Sequence, residues 1–578
     1  MTIVKSRFTV PVPRCSLQQW VFGSACDPLP DRKAFIDPDR PDKHFLTLTD
    51  YRLLSKRVAL GLQKAGLKTG DRVLLFSGNN LFFPSVFLGV IMAGGIFTGA
   101  NPTFVLRELA HQLSDSAATF LIVAASALPT ALEAAKTAGL PRDHIFVFDN
   151  GKAGGSDGTR HWTELLSGNL AQAEKWAWTE PLDPDNTTCC LNYSSGTTGV
   201  PKGVEISHRS YIANGVGVVF NSLRHPEQPA KRERARLLCF LPLYHAYGQT
   251  YFAVNMPHMH TPVYIMPSFD FVKMLEHVQR FRITTLACVP PVVVALSKSP
   301  LTTKYDVSSV EEIFSGAAPL SSEVADAVHD IFTSAFSSTA TTTTKKYPFL
   351  LRQGWGMTEM TCSTTFWDPD VRTPQLPGVG ELIANCAGKL VALDGETPIA
   401  KPGERGEVWV TGPTMMRGYW RNPKATADTI TVDKDGTRWF KTGDIGYWDE
   451  FKPGAILHIV DRLKELIKVK GNQVAPAELE GVLLEHPEIV DAAVVGVTIK
   501  GREMPRAYVL KAEGSKISER EVAEWMAGRV APYKRLTGGV VFADAIPKNP
   551  SGKILRKILR ERAKEEVGDI DPRAAKLS

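Results

Sequence analysis

RVLLFSGNNLFFPSVFLGVIMAGGIFTGA (72–100) is the stretch whose reading decides the fold. No charged residue occurs from Val73 to Val105, and the segment 81–98 is nearly long enough to cross a bilayer. Its punctuation argues otherwise. Pro84, the Gly94-Gly95 pair and the polar breaks at Ser77–Asn80 and Asn101–Thr103 divide it into strand, helix and strand. An unbroken apolar texture in such short pieces is that of a βαβ unit buried on both faces, so no membrane span is expected. Similar runs recur at RVLLFS (72–77), TFLIVAA (119–125), HIFVFD (144–149) and TTLACVP (284–290), each followed by a helical pattern. That alternation predicts an α/β fold built on mainly parallel sheets.

Beyond Gly380 the texture turns to short strands and turns, as in GEVWVTG (406–412) and GAILHIVDR (454–462). A β-rich subdomain is therefore expected over about 380–462, closing a large N-terminal domain of residues 1–462. Residues 463–578 carry their own elements: a helix at 476–486, strands at 489–497 and 506–511, and a helix at 518–530. They read as a small, separate α+β domain. At 578 residues the chain far exceeds the roughly 100–200 residues of one domain, so this division is no surprise. The run SSTATTTTKK (337–346) lacks any apolar period and reads as an exposed loop.

Composition excludes more than it identifies. Hydrophobic residues are 43% and charged residues 22%, as in ordinary globular proteins. The net charge of +6, from 67 basic and 61 acidic residues, comes without a block of like charge, so nucleic acid is not the expected partner. The eight cysteines contain no C-x-x-C pair, which points away from a zinc ribbon or disulfide framework and towards a reducing compartment. Charges and prolines interrupt the N-terminal residues where a signal peptide needs an apolar core, so the cytoplasm is the expected location. The peroxisome is the alternative: Ala575-Lys-Leu-Ser578 contains a peroxisomal tripeptide displaced by one residue, and a receptor that reads the terminal carboxylate should reject the shift.

The strongest chemical signal is Tyr193-Ser-Ser-Gly-Thr-Thr-Gly-Val-Pro-Lys-Gly-Val204. Ser194, Ser195, Gly196, Thr197, Thr198, Gly199 and Lys202 place hydroxyls, flexible backbone N–H groups and an ammonium within one loop, which suits a polyphosphate. The spacing departs from G-x-x-x-x-G-K-[ST], which disfavours a kinase or GTPase of the P-loop type. Six further motifs follow in order: LPLYHAYG (241–248), SGAAPL (315–320), QGWGMTE (353–359), FKTGDIGYWDE (440–450), IVDRLKELIKVKGNQVAPAELE (459–480) and PKNPSGKILRK (547–557). Together with GEVWVTGPTMMRGYW (406–420) and the loop, this collinear set resembles the adenylate-forming superfamily of acyl-CoA synthetases, carrier-adenylation domains and luciferases. The last two motifs are most similar to those of 4-coumarate-CoA ligases and their fungal relatives.

The resemblance implies two reactions in one site: a carboxylate and ATP give acyl-AMP and pyrophosphate, then a thiol displaces AMP. It implies that Lys553 neutralises the reacting anions, that Glu359 and Thr198 hold Mg²⁺, and that Thr358 touches the α-phosphate. Gly354, Trp355, Gly356 and Met357 would line the nucleotide, although relatives often carry Tyr at Trp355, which leaves its adenine and acyl contacts open. Asp444 and Arg462 would meet the ribose, with a plain salt bridge as the competing reading. His245 would orient the acyl carboxylate and change rotamer between steps; Tyr247 and Gly248 would face the acyl group. Ser315, Gly316, Ala317 and Ala318 would form the opposite wall beneath adenine. Lys464 would be a hinge, Lys468 would serve the second step, and Lys470-Gly471 would lie beside the CoA pantetheine. The acceptor is left open between CoA and a carrier-protein thiol, with a luciferase-like oxygenase and a non-catalytic acyl- or nucleotide-binding protein as further alternatives. No carrier-serine motif accompanies the chain. The acid itself is read only as aromatic or medium-chain.

Overall fold

The computed structural model describes residues 2–150, 158–194, 200–338, 349–369, 378–469, 472–499, 501–549 and 552–567. The 72–100 stretch folds as its punctuation implies. Strand Arg72–Phe76 leads to helix Phe83–Met92, in which every residue is buried, and the chain returns as strand Ile96–Ala100, paired parallel with the first. Pro84 sits in the helix's first turn, where its missing N–H costs no hydrogen bond, and Gly94 turns the chain at φ +84°. Ten helical residues rise only about 15 Å, half of a bilayer's apolar thickness of roughly 30 Å. Among the described residues no helix is long and apolar enough to cross a membrane.

Two sheets of this kind form the large domain. One has the order Lys202–Ser207, Thr188–Ser194, Ile96–Ala100, Arg72–Phe76, Ala118–Ala124, Ile145–Phe148, Arg160–His161, parallel except for its first pair. The other runs Leu350–Gln353, Glu312–Ser315, Thr285–Cys288, Leu237–Cys239, Val263–Ile265, Lys33–Ile36, Phe45–Thr47, parallel except for its last pair. One apolar cluster extends through both sheets and the helices between them, and a second packs helices Leu106–Ser116 and Leu128–Ala138 on the first sheet.

The third sheet is antiparallel and holds Ala387–Val391, Gly406–Thr411, Arg438–Trp448, Ile430–Val432 and Leu457–Arg462. Short strands are expected there, yet Arg438–Trp448 runs eleven residues because it pairs with three neighbours and is stabilised on both edges. Val4–Lys5 joins this sheet beside Ala387–Val391, a long-range pairing that nothing local in the sequence signals. The small domain stacks helices Pro476–Leu484, Glu519–Ala527 and Arg556–Val567 with a sheet of Ile489–Ile499, Arg502–Lys511 and Val540–Phe542. It has apolar clusters of its own. The Ser/Thr-rich run is not wholly loop: helix Ser322–Ser338 includes its first two residues, Ser337 and Ser338, and 339–346 lie outside the described residues. Helix geometry simply propagates past the last apolar position.

Candidate active site

The second sheet supplies the floor of the site. Strands Leu237–Cys239, Thr285–Cys288, Glu312–Ser315 and Leu350–Gln353 end on one edge, and the SGAAPL and QGWGMTE segments leave from their carboxyl ends. This is where open parallel sheets bind ligands. The Gly316 N–H donates to the Cys288 carbonyl at 3.1 Å and the Gly354 N–H to the Ser315 carbonyl at 2.8 Å, so each loop starts tied to its neighbour. Ser315 is buried, whereas Ala317, at φ +77°, and Ala318 are exposed on the rim. Segment 354–357 then folds back on 362–365: the Met357 N–H donates to the Cys362 carbonyl at 2.9 Å, and Gly356 forms a bridge with Ser363. Thr358 opens a short 3₁₀ turn that carries Glu359.

Glu359 is fixed from two sides. The Ser194 hydroxyl donates to its Oε1 at 2.9 Å and the Tyr419 hydroxyl does so at 3.0 Å. Lys202 places its ammonium 4.3 Å from the centre of the Tyr419 ring, a cation–π contact. Tyr419 reaches this point because residues 417–420 pair with the strand after the loop: the Trp420 N–H donates to Gly203 at 2.7 Å and Glu205 donates to Gly418 at 2.9 Å. The sequence motif contained Tyr419 without assigning it a role. Ser195, Gly196, Thr197, Thr198 and Gly199 lie outside the described residues, as do Lys470, Gly471 and 575–578.

Asp444 and Arg462 are cross-strand partners on Arg438–Trp448 and Leu457–Arg462, which explains their meeting across eighteen positions of sequence. Arg462 Nε lies 3.2 Å from Asp444 Oδ1, while the Trp355 indole N–H donates to Oδ2 at 2.8 Å. Asp444 is only 6% exposed, so these two donors compensate a charge that burial would otherwise penalise. Trp355 thereby acquires a definite contact with the Asp444 carboxylate, a role that its ring chemistry alone left open.

His245 caps a one-turn helix, Ala246–Gly248, and its Nδ1 accepts the Tyr247 backbone N–H at 3.3 Å. That bond requires an unprotonated Nδ1, so the neutral ring carries its proton on Nε2. Burial, reinforced by the charge of Lys553, lowers the His245 pKa to about 4, which keeps the ring neutral near pH 7. Asn79 holds the preceding loop: its amide donates to the Leu241 and Met266 carbonyls at 3.0 and 3.2 Å, and its oxygen accepts the Leu243 N–H at 2.9 Å. A polar residue just after a buried strand was the available signal for it. Gly248 is required by space, since a Cβ there would lie 2.3 Å from the Pro242 carbonyl oxygen. Tyr247 faces Gly316, and its ring centre is 6.2 Å from that of Tyr251.

Lys553 enters from the small domain. Its N–H donates to Asn549 Oδ1 at 2.9 Å, and Gly552, at φ +79°, turns the loop beside it. Burial and the neighbouring Arg462 lower the Lys553 pKa to about 8, against the opposing pull of Asp444, Glu465 and Glu359. One ammonium is thus within electrostatic reach of four residues from three motifs and of His245. Lys464 and Lys468 are not brought in: both are exposed, Lys464 in a turn and Lys468 on strand Ile467–Val469. The turn is anchored on either side of Lys464. The Leu463 N–H donates to Gly443 at 2.8 Å, and Glu465 pairs with Arg560 of the last helix.

Comparison with known proteins matches residues 22–420 to the AMP-binding enzyme model and 478–553 to the AMP-binding enzyme C-terminal domain. The chain belongs to the AMP-binding enzyme family. This AMP-binding enzyme is 35% identical to phenylacetyl-CoA ligase epaB of Aspergillus niger over 97% of its own length and 99% of the relative's. It is 37% identical to 4-coumarate–CoA ligase 4 of Arabidopsis thaliana, over 89% and 86%. ATP-bound MatB of Rhodopseudomonas palustris has the same fold, with a TM-score of 0.78 at 26% identity and coverage of 96% and 99%. The α/β class with a large and a small domain agrees with that neighbour.

Proposed function

We propose that the protein is an ATP-dependent acid–CoA ligase acting on an aromatic acid, with a medium-chain acid as the alternative outcome. The observation that carries this reading is the half-buried Lys553 ammonium, whose charge acts with those of Arg462, Asp444 and Glu359 and on His245. A carboxylate attacking an anionic phosphate needs both charges offset and the atoms held in line. The acid's oxygen forms a bond to the α-phosphorus, the bond to the bridging oxygen breaks, and pyrophosphate leaves. Lys553 would stabilise this step, and the His245 Nε2–H would hold the second carboxylate oxygen. Asp444, oriented by Trp355 and Arg462, would take the ribose; Lys202 and the Ser194–Gly199 loop would take the phosphates.

Glu359 would bind Mg²⁺ with Thr198. A single carboxylate suits an ion that keeps waters and phosphate oxygens as its other ligands, and among the described residues no cluster of three ligating side chains offers a protein cage. When bound, Mg²⁺ would neutralise charge on the phosphate oxygens. In the second step the sulfur of CoA bonds to the acyl carbon, the bond from that carbon to AMP breaks, and the thiol proton passes to solvent. We place the domain boundary at 462/463 and the pivot at Lys464, with Lys468, Lys470 and Gly471 serving the second arrangement. Lys464 fits a pivot because Leu463 is bonded to the large domain and Glu465 to the small one.

CoA is preferred to a carrier protein because the similar curated relatives are CoA ligases. The aromatic reading is supported by Tyr247, whose ring lies against Gly316, and by Tyr251 beside it. Pyrophosphate release measured across a carboxylic-acid panel, with and without CoA, tests the proposal; no release with any acid would overturn it. The sparse cysteines favour the cytoplasm, and imaging a fusion with a free native C-terminus separates this from the peroxisome.

A further inference from the structure

The helix Pro290–Lys298 of the large domain touches the small domain at both ends. At its start, the loop carrying Lys553 packs so closely that a Cβ on Gly552 would lie 2.8 Å from Val289 Cγ2 and 3.4 Å from Pro291 Cδ. At its end, Lys298 Nζ donates to the carbonyls of Leu484 at 2.8 Å and His486 at 3.3 Å, and also to that of Ile489. Those carbonyls close the helix Pro476–Leu484 and open the strand Ile489–Ile499. An ammonium has three N–H donors, so its capacity is filled by three backbone acceptors of the other domain. The helix end also presents the negative pole of its dipole and carbonyls without intrahelical partners, which a cation satisfies.

We propose that Lys298 is a positioning residue for adenylation: it clasps the end of the Pro476–Leu484 helix and holds the small domain at the angle that keeps Lys553 in the site. Nine helical residues separate the two contacts by roughly 13 Å. Beside the boundary the Ala477 N–H donates to Asp461 Oδ2 at 2.9 Å, and Gly481 lies against Ser321. To these and the Gly552 contact Lys298 adds three hydrogen bonds at the far end of its helix, which together fix the angle of the small domain. A countering element lies on the same seam. Glu485 faces Glu323, at the start of helix Ser322–Ser338, and burial together with this neighbour raises the Glu485 pKa. Arg529 beside Glu485 and Asp491 near Lys298 moderate both charges. The pull of Lys298 against this like-charged pair gives a seam that closes and can release.

The inference rests on the two-step reading above, and the test separates the two. In the full-length protein, Lys298→Met should slow pyrophosphate exchange roughly tenfold, within the range typical of coupling between two-state elements. CoA thioester formation from supplied acyl-AMP should be unchanged or faster, with the melting temperature nearly constant. Lys298→Arg should restore part of the loss, and Glu323→Gln should shift the ratio of the two half-reactions the opposite way. Equal losses in both half-reactions, or a loss that follows the melting temperature, would overturn the clasp. Small-angle scattering gives an answer without a substrate: Lys298→Met should change the domain arrangement, and identical profiles would sink the proposal. A wild type that releases no pyrophosphate with any acid would instead overturn the ligase reading.

Discussion

The two halves of the site are built in different ways. In the large domain, Glu359, Asp444 and His245 are each fixed by groups of that same domain: Ser194 and Tyr419, Trp355 and Arg462, the Tyr247 N–H and the Asn79-anchored loop. In the small domain, Lys553 sits on a loop secured by Asn549, and its place in the site depends on how the whole domain is docked. We propose that one half is preorganised and the other is delivered. Preorganised polar groups need no rearrangement as charge develops, whereas a delivered one can be withdrawn when a second reaction needs the space.

The largest expected effect comes from removing the delivered group. Lys553→Ala should slow adenylation by about 100-fold or more, as loss of a group that stabilises transition-state charge does. Thioester formation from supplied acyl-AMP should persist. The melting temperature should hold or rise. The folded Lys553 pKa is about 8, below the ordinary lysine value of 10.5, so the charged lysine costs folding free energy below about pH 8 and the cost fades as pH rises towards 10.5. Stopped-flow assays of each half-reaction and a melting curve check this; equal loss in both steps would erase the distinction between the halves.

Lys464→Pro tests whether delivery is reversible. Proline fixes φ near −65°, so a residue required in two backbone conformations loses one of them. Adenylation should survive and CoA thioester formation from isolated acyl-AMP should fail. A wild-type second-step rate in this variant would move the pivot elsewhere.

Weaker effects are expected in the preorganised half. Asp444→Ala should weaken ATP binding by about 1–3 kcal/mol, the worth of hydrogen bonds to a charged acceptor. Trp355→Phe should cost about 1 kcal/mol, since it removes one orienting bond and leaves the carboxylate. Calorimetric titration with ATP gives both values, and unchanged affinity for Asp444→Ala in a folded protein would remove it from the nucleotide site. The smallest effect concerns pH. A triphosphate beside Lys553 favours its charged form, so above about pH 8 ATP binding should take up a proton and weaken as pH rises. Titrations in two buffers of different ionisation enthalpy reveal that proton; none appearing at pH 9 would place Lys553 away from the phosphates.

The same division governs what could be read in the sequence. The 72–100 stretch carried its own βαβ punctuation, and Glu359, Asp444, His245 and Lys553 stood in motifs that name a chemistry. Tyr419 and Asn79 were missed because each works through a partner distant in sequence: Tyr419 through Glu359, and Asn79 through the loop before His245. Val4–Lys5 escaped for a similar reason, since two residues have no period and their partner strand lies near residue 388.

The sequence by itself determined the alternation of strands and helices and the family, and marked candidate residues for a nucleotide, because periodicity and motif spacing are local quantities. Only the tertiary structure decided which of those residues share a site and which stay outside it. It put Trp355 on Asp444 through a bond across 89 positions, left Lys468 exposed, and set Lys298 against the carbonyl end of a helix almost 190 residues away. Such contacts depend on how layers pack and how one domain docks on another, and nothing in a short stretch of chain encodes that geometry.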